Sequence, residues 1–395
     1  MTTTLVSNSG SSSVSLAQDQ FRLNERRLAS IIDKLYRALV WSKGLYSVVK
    51  TETHAPQSIY YPGSAKVQPV KKVPSPQQTF SFLECGLGEV ISGNEHVPLA
   101  VVGPGTLEHR QWLWFATLTD RREDSMRVYE AHCKIHIDHP EFYTKEVLYL
   151  SLPDFRKALE GKYKIGSPRQ SVEYWQICAL TLFSRFDGDP VALLKHAGWS
   201  VESVYAWKQK QKKPVEKGGI GYDPIPGWGR KLLSLYFLYL AELGYPLPDD
   251  VFASDVHAQA MVLQTRSFSY GDRDFVSSAH LAELVRKFVS RYCKEKNYDV
   301  VHVAHASWLL GSTLCDQCSK RSDAPYACPI YNQCDGRVDT SHYWKKGKWP
   351  KNLPRMNKGG QRPKYGMPTD VVPRLSQRNR GIVIPIVSLF RKHSK

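Results

Sequence analysis

The sequence predicts a mainly α-helical protein, and two observations lead to this prediction. Apolar residues recur at helical spacing in most segments, with charged residues on the opposite face. In residues 24–50 the apolar face consists of Leu28, Ile31, Ile32, Leu35, Leu39 and Val40. Residues that favour helix starts also stand before such segments, as Asp189-Pro190 and Ser200 do. The sequence leaves strand content open before residue 106 and in the C-terminal tail.

The helical segments follow one another along most of the chain. The spacing predicts helices over residues 24–50, 107–133, 153–159, 171–186, 191–197, 201–209, 232–243, 258–263 and 274–296, and residues 299–310 lead on to the cysteines. The segment 171–186 is almost wholly apolar after its first turn, so we expect it to be a buried central helix.

The composition divides the chain into five parts. They are a disordered leader (1–20), an N-terminal helical extension (21–160) with a linker at 51–78, a main helical domain (161–310), a four-cysteine loop (311–336) and a basic tail (337–395).

The charge balance points to a polyanionic partner. The chain has 54 Lys and Arg against 37 Asp and Glu, a net charge of +17. Fifteen Lys and Arg but only three Asp fall in residues 335–395, so most of the excess lies in the tail. Within it, Lys345, Lys346 and Lys348 alternate with aromatic residues that include Tyr343 and Trp349. Lysines contact phosphates and rings stack on exposed bases, so we expect nucleic acid as the partner.

Other functional classes are disfavoured by the sequence. No stretch approaches the roughly 18 consecutive apolar residues that a membrane span needs, so no membrane partner is expected. The first residues lack the basic start and apolar core of a secretory signal. We therefore expect a cytoplasmic, nucleoid-associated protein if the source is bacterial or phage, and a monomer.

The most informative stretch is a glycine-containing turn before a helix. Gly227 and Gly229 flank Trp228, and Arg230-Lys231 follow at the start of the apolar segment. Glycines let the backbone approach a ligand closely, and the free N–H groups of a helix start bind phosphate. Asp255 and His257 stand at the expected start of the next helix, so an amine and a carboxylate occupy neighbouring helix starts. A plain connection between two helices is the alternative for the turn alone.

Four cysteines form the second candidate site. They have the spacing Cys315-x2-Cys318-x9-Cys328-x5-Cys334. Four thiolates within twenty residues suit either a tetrahedral Zn²⁺ or a [4Fe–4S] cluster, and the spacing does not separate the two.

Together these residues resemble the helix-hairpin-helix base-excision DNA glycosylase superfamily, which includes endonuclease III. The resemblance lies in Ile225-Pro226-Gly227-Trp228-Gly229-Arg230-Lys231 and in Ser254-Asp255-Val256-His257, and it extends over roughly residues 165–335. It implies a two-lobed helical glycosylase-like domain with a C-terminal four-cysteine metal site. Many members carry a [4Fe–4S] cluster that ends in Cys-x5-Cys, so the resemblance favours iron–sulfur over zinc.

The resemblance also implies roles for individual residues. Asp255 would stabilise positive charge on the sugar while the N-glycosidic bond breaks, and Lys231 would attack C1′ to form a Schiff base that permits strand nicking. Gly227, Gly229 and Arg230 would contact the DNA backbone. His257 is expected to hold the helix start.

One feature of the family is missing. A glutamine usually follows the buried helix and fills the gap left by the flipped base. This chain has Arg185 and Phe186 in that stretch, and we expect one of them to take this place. The expected function is a glycosylase for a damaged or modified base, with lyase activity left open. The alternatives are an enzyme acting on hypermodified pyrimidines of phage DNA, and a non-catalytic DNA-binding module.

Overall fold

A computed structural model describes residues 21–38, 89–92, 95–98, 105–120, 125–213, 221–311, 315 and 329–353. The predicted leader, the linker at 51–78, the second half of the first predicted helix, Cys318, Cys328 and the tail beyond residue 353 lie outside the described residues.

The described chain is mainly helical, as the sequence predicts. The helices are α1 (Glu25–Ala38), α2 (Leu107–Thr119), α3 (Ser125–Asp138), α4 (Leu152–Leu159), α5 (Pro168–Arg185), α6 (Pro190–His196), α7 (Val201–Gln211), α8 (Arg230–Glu242), α9 (Val256–Gln264), α10 (Ser278–Lys296), α11 (Val300–Leu309) and α12 (Ser341–Lys346). Short 3₁₀ turns cover Pro140–Tyr143, Lys145–Tyr149 and Tyr331–Gln333.

The strands in the described residues form three antiparallel pairs. They are β1 (Arg22–Leu23), β2 (Glu89–Ser92), β3 (Glu95–Pro98), β4 (Phe268–Ser269), β5 (Phe275–Ser277) and β6 (Lys348–Pro350). Strand β1 pairs with β4, β2 with β3, and β5 with β6. In the last pair Val276 lies opposite Trp349, which brings the first part of the basic tail back onto the start of α10.

The prediction of one helix over 107–133 is wrong, because the structure has two. Helix α2 ends at Thr119, and the backbone N–H of Asp120 closes it on the carbonyl of Thr117. The Thr119 hydroxyl donates to the carbonyl of Ala116 (3.1 Å) and lies 2.7 Å from Nε2 of His132 in α3. This buried contact holds the end of α2 against α3.

The helix α5, expected to be a buried central helix, is buried on one face and exposed on the other. Trp175, Cys178 and Leu182 are fully buried. Ile177 and Leu180, on the opposite face, are 36% and 49% exposed.

The main packing contacts divide the described elements into two lobes. In the first lobe, α2 packs against α3, α5, α6 and α8, while α7 packs against α8. In the second lobe, α10 and α11 pack against α1 and α9, and α10 also contacts β5. Residues 21–160 therefore contribute to both lobes, since α1 belongs to the second and α2 to α4 belong to the first.

Candidate functional site

The turn before α8 is fixed from inside the first lobe. The Cys178 thiol donates to the carbonyl of Pro226 (3.8 Å), and the Lys208 ammonium donates to the carbonyl of Trp228 (2.9 Å). The Trp228 ring is fully buried and stacks on Trp114, with ring centroids 3.7 Å apart. Because these carbonyls and the indole face inward, the turn is rigidly attached to the core.

Lys208 is a buried cation beneath this turn. Burial lowers the pKa of its ammonium, and the Asp223 carboxylate, 3.3 Å away, opposes that shift. A buried charge needs such partners, so Lys208 has a place in the fold only while Trp228 and Asp223 keep these positions.

The two glycines of the turn differ in what their positions require. Gly227 has φ of +83°, a conformation that residues with a side chain rarely adopt. Gly229 has φ of −97°, and a Cβ added there would meet no atom within 4 Å. The fold itself therefore tolerates a side chain at 229, and the glycine leaves the space beside the helix start open.

Gly229 is the N-cap of α8 and supplies no side-chain hydrogen bond to the helix start. Within the described residues, the backbone N–H groups of Gly229, Arg230 and Lys231 have no acceptor. Free N–H groups at a helix start attract anions, since the helix dipole is positive at this end.

Lys231 and Arg230 differ in their surroundings although they are adjacent. Lys231 is partly buried, and its ammonium makes no hydrogen bond or ion pair with any residue that the structure describes. The Arg230 guanidinium is held by Glu202 (2.8 Å) and Glu283 (3.4 Å) and lies 3.9 Å from the Tyr205 ring centroid. Arg230 therefore joins the two lobes, and its predicted DNA contact stays a prediction.

Asp255 is the N-cap of α9. Its Oδ1 accepts a hydrogen bond from the backbone N–H of Ala258 at 2.8 Å. Among the described residues nothing donates to its Oδ2. Oδ1 thus caps the helix, while Oδ2 is left to contact a ligand.

The charges of Lys231 and Asp255 both affect the pKa of the His257 imidazole. Burial lowers the pKa of the His257 imidazole, the Asp255 carboxylate opposes this, and Lys231 and Arg337 add to it. A Cβ added at Gly311 would lie 2.4 Å from the Cβ of His257, so the end of α11 presses directly against this side chain. The charges of the amine and the carboxylate predicted from sequence therefore both influence the partly buried imidazole of His257.

A cleft of about 310 Å³ opens beside Lys231, between the lobes. It is lined by Tyr205, Gly229, Arg230, Lys231, Ser254, Gln259, Ser278, Ala279, Ala282, Glu283, Arg286 and Tyr343. Asp255 is not part of this lining, but the preceding residue, Ser254, is. The Ser254 hydroxyl is buried and has no hydrogen-bond partner in the described chain.

Arg286 lines the cleft and connects the two lobes there. Its side chain is 2% exposed, and the guanidinium bonds Glu202 of the first lobe, Glu283 of its own helix (2.9 Å) and the carbonyl of Asp250 (2.6 Å). Arg286 and Arg230 therefore share the same two carboxylates, and together they set the separation of the lobes at the cleft.

The first part of the predicted basic tail forms a wall of the cleft. Tyr343 lines it, whereas the Trp349 ring is fully buried and donates its N–H to Oε1 of Gln259 at 2.8 Å. The expectation that Trp349 stacks on exposed bases is therefore wrong, because the ring belongs to the core. Lys346 and Lys348 are exposed, while the side chain of Lys345 lies outside the described atoms.

The proposed gap-filling residues lie away from this cleft. Phe186 is buried against His196 and Trp207, so it is not free to enter a DNA duplex. Arg185 is exposed, with its guanidinium 5.5 Å from the Phe186 and Trp207 ring centroids, and it does not line the cleft.

Two of the four cysteines are described, and both lie at the C-terminal end of α9. The Gln264 amide donates to Sγ of Cys315 (3.2 Å), and the Gln264 carbonyl accepts from the N–H of Asp335 (2.8 Å), next to Cys334. The N–H of Gly336 donates to Sγ of Cys334 (3.3 Å). Hydrogen bonds to sulfur favour thiolates, so these two residues suit a metal–thiolate site.

Sequence reasoning missed several residues that line the cleft. Gln259 interrupts an otherwise apolar segment of α9 and is 2% exposed, which is the one signal that marks a polar residue with a partner inside the core. Ser254, Glu283 and Arg286 carried no comparable signal.

Comparison with models of protein families and with curated proteins finds no match to this chain. Within the described residues, no helix is both long and apolar enough to cross a membrane.

Proposed function

We propose that this chain is a DNA glycosylase that removes a damaged or modified base flipped out of the duplex, with Lys231 and Asp255 at the reacting sugar. The observation that carries this proposal is an amine at the start of α8, unpaired among the described residues, that lines an open cleft, and a half-used carboxylate at the start of α9, next to the lining residue Ser254. Packing alone requires neither an unpaired lysine nor a glycine at position 229.

The Asp255 carboxylate would act when the bond between C1′ and the base breaks. Positive charge grows on the sugar at that moment, and a carboxylate held nearby stabilises it. The cap to Ala258 fixes the side chain, so that Oδ2 keeps one direction without reorganisation.

Lys231 would supply the nucleophile of a lyase reaction. In its uncharged form the amine attacks C1′, the base leaves with its bonding electrons and takes up a proton, and the opened sugar forms an imine with the lysine. Loss of a C2′ proton then expels the 3′ phosphate, which nicks the strand.

The DNA strand would bind through its phosphates. The N–H groups of Gly229, Arg230 and Lys231, which have no acceptor in the described part of the chain, suit one phosphate, and the exposed Lys346 and Lys348 lie on the segment that contributes Tyr343 to the cleft. The net charge of +17 favours association with any DNA duplex.

We further propose that Cys315, Cys318, Cys328 and Cys334 hold a [4Fe–4S] cluster, with Zn²⁺ as the alternative. The donors aimed at Sγ of Cys315 and Cys334 support thiolate ligands. Such a group would stabilise the fold at the C-terminal end of α9, the helix that Asp255 begins. Iron and zinc analysis of anaerobically purified protein, with absorbance near 400 nm, separates the two alternatives.

The proposal is tested by identifying what the chain releases from DNA. Mass spectrometry of bases released from genomic and phage DNAs would detect the substrate, and borohydride would trap the imine on abasic-site DNA. We expect trapping by the wild type and none by Lys231→Ala. Release of no base from any DNA, while the protein binds duplex DNA, would contradict the glycosylase assignment and favour a non-catalytic module.

A further inference from the structure

We infer that the cleft selects a heterocycle through a carbonyl oxygen, and that Gln259 makes this choice. The inference deepens the proposed function and rests on it for the identification of the ligand as a base in DNA. It concerns which class of base enters the cleft, a uracil-type ring or a cytosine-type ring.

The orientation of the Gln259 amide is set by Trp349. The indole N–H is only a donor, and it contacts Oε1 of Gln259 at 2.8 Å. The amide oxygen must therefore face the indole, which leaves the NH₂ group on the other side. Gln259 is 2% exposed and lines the cleft, and its NH₂ group has no acceptor among the described residues.

The rest of the lining also offers donors. The buried Ser254 hydroxyl is unpartnered, and Lys231 is unpaired within the described chain. Among the described residues of the lining, Glu283 is the one carboxylate, and it is already bonded by Arg286 (2.9 Å) and Lys287 (3.1 Å). The Gln259 NH₂ group and the Lys231 ammonium can only donate, so a ligand that satisfies both brings acceptors.

The size and walls of the cleft suit a single base. Its volume of about 310 Å³ lies at the lower end of the roughly 300–1,000 Å³ range of small-molecule sites. Tyr205 and Tyr343 supply aromatic walls, and Ala279 and Ala282 leave room beside α10. A 2,4-dioxopyrimidine presents a carbonyl oxygen at positions 2 and 4, so either edge can accept from the Gln259 NH₂ group. A cytosine-type ring has an amino group at position 4, and binding through that edge would set donor against donor and leave both unpaired.

The experiment compares matched duplexes that carry either 5-hydroxymethyluracil or 5-hydroxymethylcytosine at one position. Single-turnover release of the two bases is measured for wild type and for Gln259→Glu, whose carboxylate accepts from Trp349 and presents an acceptor to the cleft. We expect the wild type to release the uracil-type base at least 10-fold faster, and Gln259→Glu to lose or reverse this preference. Gln170→Glu, an exposed residue with the same change of charge, should keep it.

A second variant covers the case in which the buried carboxylate disturbs folding. Trp349→Phe keeps a ring in the core but removes the N–H that orients the amide, so the preference should shrink at least fivefold while binding of both bases persists. Equal release of the two bases by wild type, or a preference unchanged in both variants, would overturn the inference.

Binding of the free bases separates this inference from the proposed function. Saturation-transfer NMR with 5-hydroxymethyluracil and 5-hydroxymethylcytosine requires no bond cleavage. If no DNA yields a released base, the glycosylase proposal fails. Stronger NMR binding of the free uracil-type base, lost in Gln259→Glu, would still support a cleft that selects a carbonyl oxygen. Equal signals from both bases would contradict it.

Discussion

Replacing Arg286 with methionine should destabilise the protein strongly, because this arginine joins the lobes from a buried position. Its guanidinium, on a side chain that is 2% exposed, bonds Glu202 and Glu283 and the carbonyl of Asp250. Methionine fills part of the same space but leaves these groups without their main donor.

The cost follows from the contacts. Removing one partner of a buried ion pair destabilises proteins by about 3–5 kcal/mol. Here Glu202 and Glu283 are 38% and 22% exposed and retain Arg230, so solvent and that arginine compensate in part. We therefore expect the free energy of unfolding to fall by about 3 kcal/mol, the lower end of that range.

Arg291→Met is the matched control, because Arg291 lies on the same helix. It is 55% exposed and pairs with Glu25 at 2.9 Å. Exposed ion pairs contribute about 0–1 kcal/mol to stability, so the free energy of unfolding of this variant should be close to that of the wild type. Equilibrium urea unfolding followed by tryptophan fluorescence measures both. If Arg286→Met costs no more than Arg291→Met, the bridge between the lobes has no stabilising role.

Three further outcomes are expected. Gly311→Ala should cost about 1–3 kcal/mol of unfolding free energy by pushing on His257, whereas Gly229→Ala meets no atom and should cost only about 0.5 kcal/mol, the penalty of a poorer N-cap; equal melting temperatures for the two variants would contradict this. Burial lowers the pKa of His109 and His132 to about 3, so unfolded chains bind protons that the folded state excludes. Stability should therefore fall by about 1.4 kcal/mol per pH unit for each histidine as the pH drops from 6.5 to about 3, and His132→Gln should flatten this slope in unfolding titrations. Burial raises the pKa of Cys293 to about 12, so iodoacetamide at pH 8 should leave this thiol unmodified in the folded protein, as peptide mass spectrometry would detect.

The helix starts were predictable from sequence because their causes are local. Asp189 and Ser200 each accept a hydrogen bond from a backbone N–H two or three residues later, so the capping residue and the helix lie in one short window. The mainly helical fold class and most helix positions follow from such windows and from apolar spacing.

The arrangement of the cleft depends on contacts between distant parts of the chain. Arg286 meets Glu202 across 84 residues, and Trp349 meets Gln259 across 90 residues. Neither pair leaves a local pattern, and a lysine-rich tail gave no reason to expect a tryptophan in the core. The break after Thr119 was missed for the same reason, since His132 holds that helix end from the next helix.

The central claim is that the Asp255 carboxylate takes part in base release as well as in starting α9. Asparagine also caps helices, so Asp255→Asn should preserve the fold and DNA binding while removing the charge. With a base identified as substrate, single-turnover release by this variant tests the claim most directly. We predict release at least 100-fold slower than wild type, with the melting temperature and the DNA affinity unchanged. Release at the wild-type rate would contradict the claim and reduce Asp255 to a helix cap.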